Sequence, residues 1–136
     1  MRQVPEEENN LKVFLAGDSH SVCRRISNLI SSVPGIDIVG ETHNPLSAIA
    51  QIWTLRPDVV ILDIQLQKRF GVDVLVSISG MIPAPATIMV ATNLFSLPAG
   101  KEKIRPDFIL DKFTECDKIP DLLQHIFQKS KGLMPA

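Results

Sequence analysis

Arg56-Pro57-Asp58-Val59-Val60-Ile61-Leu62-Asp63-Ile64 is the stretch whose reading decides the fold. Its centre, Val59 to Leu62, is apolar and mostly β-branched, which is the composition of a strand buried on both faces. A carboxylate, Asp63, follows that run directly. Burying an ionised carboxylate without a partner is costly. In an open parallel sheet, however, the carboxyl ends of the strands form the crevice where ligands and chemistry sit. A second strand-like run, Lys12-Val13-Phe14-Leu15-Ala16, also leads to a carboxylate, Asp18. Two strand-end carboxylates in one domain suggest a site for a divalent cation and a phosphoryl group.

Outward from this stretch, strand and helix patterns alternate. The first strand, 12–16, precedes a helix over about 19–33, where Val22, Ile26, Leu29, Ile30 and Val33 recur every three or four residues. Ser19 suits its N-cap, and Pro34-Gly35 stops it. A strand over 36–40 follows, and Asn44-Pro45 supplies an N-cap and a first-turn proline for a second helix. Ala48, Ile49, Ile52, Trp53 and Leu55 make that helix apolar, so Trp53 is expected in the core. The strand 59–63, a helix over about 71–79, and strands over 87–91 and 107–110 come next. The last helix covers about 117–131, with Pro120 in its first turn, where a missing N–H costs little.

The segment 93–106 breaks the rhythm with Pro98, Gly100 and Pro106, and is expected to be a short or irregular helix. Lys101, Lys103 and Arg105 within it read as a solvated basic cluster. The whole implies an α/β fold: a flavodoxin-like (βα)5 three-layer sandwich, with a parallel sheet of order 2-1-3-4-5 and right-handed crossovers.

The 136 residues suit one domain, expected over 11–131 between a flexible N-terminal tail, 1–10, and a C-terminal tail, 132–136. A 45% hydrophobic content is rich enough for a full core. The net charge of −1 offers no basic field for nucleic acid or acidic lipid. No run of about 18 apolar residues suggests a membrane span. The polar, acidic N-terminus lacks the layout of a signal peptide. Cys23 and Cys116 form no CxxC and lack metal-ligand spacing, so they read as free thiols, small and buried, in a reducing cytoplasm. His20, His43 and His125 are not spaced as a metal set, although His20 and His43 lie near strand ends. A glycine-rich phosphate loop, a nucleophile elbow and a terminal helix-turn-helix are all missing.

With these elements in place, the chain resembles the CheY-like receiver domain of bacterial two-component response regulators over roughly 11–130. The likeness is carried by the stretch from Arg56 to Ile64, by Gly71-Val72-Asp73-Val74-Leu75, by Val39-Gly40-Glu41, and by Asp107-Phe108-Ile109-Leu110-Asp111-Lys112. The resemblance implies that Asp63 accepts a phosphoryl group from a sensor histidine kinase or phosphotransfer protein. A carboxylate oxygen would attack phosphorus in line, and cations and donors would meet the charge that develops. By the same resemblance Asp18, Asp63 and the backbone carbonyl of Gln65 would hold Mg²⁺, which favours such mixed oxygen sites. Lys112 would pair with the acceptor and then with phosphoryl oxygens, and Thr92 would hydrogen-bond the phosphoryl group.

The expected protein is therefore a stand-alone, cytoplasmic switch that is not an enzyme beyond accepting the phosphoryl group. It would signal through contacts with a downstream protein, and self-association is common for such domains.

This chain departs from the family pattern at four places. Gly17 precedes Asp18 where an acidic pair is usual, which removes one negative charge from the cation site. Gln67-Lys68 replaces a Pro-Gly pair, Ile109 stands where many members carry an aromatic residue, and the fourth helix is expected to be short. These departures keep a second reading open: a pseudo-receiver that docks or dimerises without phosphorylation. A flavin- or nucleotide-binding fold is a third reading, opposed by the missing phosphate-cradling loop.

Overall fold

The computed structural model describes residues 10–17, 19–63, 70–91 and 106–130, with the backbone alone at 70–72. In order these form β1 (Leu11–Gly17), α1 (His20–Ile30), β2 (Ile36–Thr42), α2 (Pro45–Leu55), β3 (Val59–Asp63), α3 (Phe70–Ile78), β4 (Ala86–Ala91), β5 (Phe108–Asp111), a 3₁₀ turn (Cys116–Lys118) and α4 (Ile119–Ser130). The five strands make one parallel sheet in the order β2-β1-β3-β4-β5, as the alternating pattern implies. The tails expected at the two ends fall largely outside the described residues. So does most of the irregular segment 93–106, with its basic cluster.

Strand alternation sends successive side chains to opposite faces of the sheet, and each face has its own core. Phe14, Ala16, Val60 and Leu62 pack with Ala48 and Ile52 of α2 and with Val74 and Ile78 of α3. Val13, Leu15, Val59 and Ile61 pack with Ile26 and Ile30 of α1 and with Ile119 and Leu123 of α4. All five residues of β3 are buried, so the central strand is apolar on both faces up to its final carboxylate.

The punctuation residues act as their chemistry dictates. Ser19 caps α1, its hydroxyl accepting from the Val22 N–H at 3.2 Å. Asn44 caps α2 through the Ser47 N–H at 3.0 Å. Gly35 has φ of +81°, and a Cβ there would come within 2.5 Å of the Phe127 ring, so the turn after α1 requires glycine.

Three expectations are corrected. Helix α1 ends at Ile30, short of Val33, because Ser31 caps it and the chain must turn into Gly35. Asp107 does not begin β5. Its carboxylate accepts from the Thr87 N–H at 2.8 Å while its own N–H donates to Thr87 Oγ1 at 2.9 Å, a clamp at the amino end of β4. Trp53 is 38% exposed rather than in the core. Its indole N–H donates to Ser77 Oγ at 3.3 Å, and the Arg56 guanidinium lies 5.2 Å from its ring centroid, so the ring spans the outer surfaces of α2 and α3.

Candidate functional site

Three strand rows on the α1/α4 face run out at one place. The row Val13, Leu15 continues to Gly17, the row Val59, Ile61 continues to Asp63, and the row ending at Leu110 continues to Lys112. Gly17 and Asp63 are register partners, and the backbone of Lys112 extends the β4–β5 ladder by donating to Ala91 at 2.8 Å. The fold thus delivers a carboxylate and an ammonium to the same end of the sheet from strands that are far apart in sequence.

Lys112 Nζ lies 2.7 Å from Asp63 Oδ1, and the two side chains are 7% and 1% exposed. This is the pairing that the family resemblance implies for these two residues. The approach is off the axis of a good hydrogen bond, so Oδ1 keeps lone-pair directions with no aligned donor among the described residues. Oδ2 accepts from the Ser19 N–H at 3.2 Å. Burying a carboxyl group this deeply is costly without such partners.

In the sequence Ser19 reads only as a helix cap. The same residue also turns its N–H onto the carboxylate, because the N-cap of α1 lies two residues beyond Gly17, the register partner of Asp63.

Gly17 has a steric role. A Cβ built there would stand 2.4 Å from Asp63 Cβ and 3.0 Å from Oδ2, so the Asp63 side chain occupies the space a side chain at position 17 would need. The Gly17 carbonyl is in turn held by His43 Nδ1 at 2.8 Å. Neither contact carries a signal in the sequence, since both depend on how β1, β2 and β3 are spaced.

Asp18, Gln65 and Thr92, the other expected site residues, lie outside the described residues, and so do Gln67 and Lys68. Ile109 is exposed at the middle of β5. Beyond the pair, Asp111 and Glu115 order the turn after β5. Hydrogen bonds from the Phe113 and Thr114 N–H groups, 2.9 Å each, hold the Asp111 carboxyl below its ordinary value. The Lys118 ammonium, then the Asp111 N–H, do the same for Glu115. Burial pushes the Cys116 thiol up, and its S–H donates to the Lys112 carbonyl at 3.1 Å, so the thiol braces the lysine's backbone.

A buried carboxylate at a sheet's carboxyl edge, with an oxygen that one ammonium does not saturate, fits an oxygen-seeking cation such as Mg²⁺. Asp63 is the one proposed ligand whose placement supports this.

Comparisons with known proteins agree with this architecture. Residues 13–100 match the response regulator receiver domain family. A protein-glutamate methylesterase/protein-glutamine glutaminase of Desulfotalea psychrophila is 30% identical over 83 residues, 61% of this chain and 23% of that protein. A protein of the same name from Pseudoalteromonas atlantica is 26% identical over 92% of this chain and 36% of its own length. The chain thus spans only about a quarter to a third of these relatives. The response regulator domain of Thermotoga maritima CheB superposes with a TM-score of 0.69 at 22% identity, covering 93% of this chain and 99% of that one. The REC domain of AraT from Geobacillus stearothermophilus gives a TM-score of 0.74 at 18% identity, covering 90% and 96%. With the sheet order, the strand-end carboxylate and the family match in agreement, this chain belongs to the response regulator receiver domain family of two-component signalling.

Proposed function

We propose that this receiver accepts a phosphoryl group on Asp63 and passes the signal on through protein contacts. One observation carries the reading: the Asp63 carboxylate is buried at the end of β3 with the Lys112 ammonium 2.7 Å away. A carboxylate held in place and stripped of water is oriented for in-line attack. One oxygen forms a bond to phosphorus as the bond from phosphorus to the donor's leaving group breaks. That leaving group is the imidazole of a phosphohistidine, or the acetate of acetyl phosphate. Lys112 sits where its charge can move from the carboxylate onto the phosphoryl oxygens.

Mg²⁺, held by Asp63 with Asp18 and the Gln65 carbonyl, would neutralise charge on the transferred group. Gly17 leaves that set one carboxylate short, so weak Mg²⁺ binding is expected. Thr92 is proposed to bond the phosphoryl group. The partners are a sensor histidine kinase or phosphotransfer protein and a downstream protein, with a homodimer as one form of output. The proposed location is the cytoplasm, and among the described residues no helix is long and apolar enough to cross a membrane. The methylesterase and glutaminase named for the relatives is not carried over, since only a minor part of each is matched.

The test is incubation with acetyl phosphate and Mg²⁺ followed by intact mass. One added phosphoryl group is expected on the wild type and none on Asp63→Asn. A second reading, a phosphorylation-independent docking module, draws on the crowding of Gly17 against Asp63. Failure of the wild type to label, with no effect of Mg²⁺ on stability, would establish it in place of the first.

A further inference from the structure

We propose that Cys23, Glu41 and His43 form a second cation site, for a zinc-class transition ion, beside the acceptor pocket and independent of it. One ligand atom from each of the three lies within 4.8 Å of the other two. Glu41 lies near the end of β2 and His43 just beyond it, and His43 Nε2 comes within 3.3 Å of Glu41 Oε2. Cys23 reaches the same place from the first turn of α1, where the helix's positive end suits the charge of a coordinated thiolate.

The chemistry of His43 points to a ligand. Its Nδ1 lies 2.8 Å from the Gly17 carbonyl, which only accepts, so Nδ1 carries the hydrogen. In the neutral ring Nε2 then presents a bare lone pair, and it lies 3.3 Å from Glu41 Oε2, another acceptor. A positive charge between them reconciles the two groups, supplied either by a second proton on the imidazole or by a bound ion. Their separation already suits a shared ion, because adjacent ligands on tetrahedral Zn²⁺ are about 3.4 Å apart.

The Nδ1–H···O=C bond is also the outer-shell contact that fixes the ring of a metal-ligating histidine. The His20 ring lies against His43, with centroids 3.6 Å apart, and further restricts it. Cys23 is buried while Glu41 is exposed, so an ion has an open approach from the β2 side. Sulfur, imidazole and a single carboxylate select Zn²⁺ or Co²⁺ over Mg²⁺. Three protein ligands leave a fourth position for water or an outside donor.

Zinc titration of the metal-stripped full chain by calorimetry tests this. One equivalent of Zn²⁺ should bind, excess Mg²⁺ should not displace it, and Asp63→Asn should bind zinc as the wild type does. His43→Gln and Glu41→Gln should each weaken binding at least about tenfold. Co²⁺ loaded in place of zinc should show tetrahedral visible bands and a thiolate-to-metal absorption that Cys23→Ser removes. Should Cys23→Ser fail to fold, the wild-type cobalt spectrum and the His43→Gln and Glu41→Gln variants decide the matter. Zinc binding unchanged by His43→Gln and Glu41→Gln, a cobalt spectrum without the thiolate feature, or no binding at all overturns the site and leaves His43 and Glu41 as an ordinary ion pair. Loss of labelling at Asp63 with an intact zinc response would sink the phosphoryl reading alone.

Discussion

Two ion pairs in this molecule have the same length, and their lysines flank one turn. Lys112–Asp63 and Lys118–Glu115 both measure 2.7 Å. The first pair is 7% and 1% exposed, the second 62% and 34%. Distance therefore does not set what each contributes. Water and salt screen the exposed pair, whose flexible side chains lose entropy on joining. In the buried pair attraction is little screened, but both groups gave up hydration to get there. Such a pair adds little net stability, yet removing one member strands the other. A surface pair tidies a turn. A buried pair holds a charge ready for a new partner, which is the behaviour expected around a phosphoryl acceptor.

The largest effect should come from stranding the buried carboxylate. Lys112→Met is expected to cost about 3–5 kcal/mol in urea unfolding, because it leaves the buried Asp63 carboxyl without its cation. Lys118→Met should leave the midpoint nearly unmoved. The double variant Asp63→Asn/Lys112→Met should recover part of the loss, since neither partner is then charged. If Lys112→Met were no worse than Lys118→Met, the contrast between the pairs would be gone.

Crowding at Gly17 gives the next largest effect. Alanine there must displace the Asp63 side chain or push β1 away from β3, an overpacking cost of about 1–3 kcal/mol. The same displacement moves Oδ2 from the Ser19 N–H, so labelling by acetyl phosphate should slow as well. A Gly17→Ala protein with wild-type stability and labelling would show that Asp63 has room to spare.

These contrasts also divide what the sequence discloses from what it hides. The sheet order and the place of Asp63 at the sheet's edge were legible, because apolar β-branched runs fix the strands and a charge that ends such a run must sit at that edge, whereas the pairing with Lys112 came only from the family resemblance. Helix caps at Ser19 and Asn44 were legible from local chemistry. Trp53 was not, because a helical stripe cannot distinguish a ring facing the sheet from one bridging two helices at their outer edge. The Gly17 approach and the Cys23–Glu41–His43 cluster were hidden too. Both arise from distances between strands and helices, which no spacing along the chain encodes.

The exposed turn supplies the smallest and most local effect, and it depends on pH. Asp111 and Glu115 both titrate below their ordinary values, through backbone N–H donors for Asp111 and chiefly the Lys118 ammonium for Glu115. A carboxylate with a depressed folded-state pKa binds fewer protons folded than unfolded, so its contribution is complete above the ordinary carboxylate range, about 4. It is lost as pH falls through that range and then through the lower folded value. Amide shifts of Phe113 and Thr114, followed by NMR during acidification, should therefore change with a midpoint below that of a free aspartate. They should stay flat from pH 6 to 8 (about two units above that range). Asp111→Asn should abolish the titration at both amides and leave the Asp63–Lys112 pair in place. A midpoint at or above the free value would mean that these two hydrogen bonds do not favour the ionised carboxylate. The turn after β5 would then owe its shape to the Lys112 carbonyl and Cys116 instead.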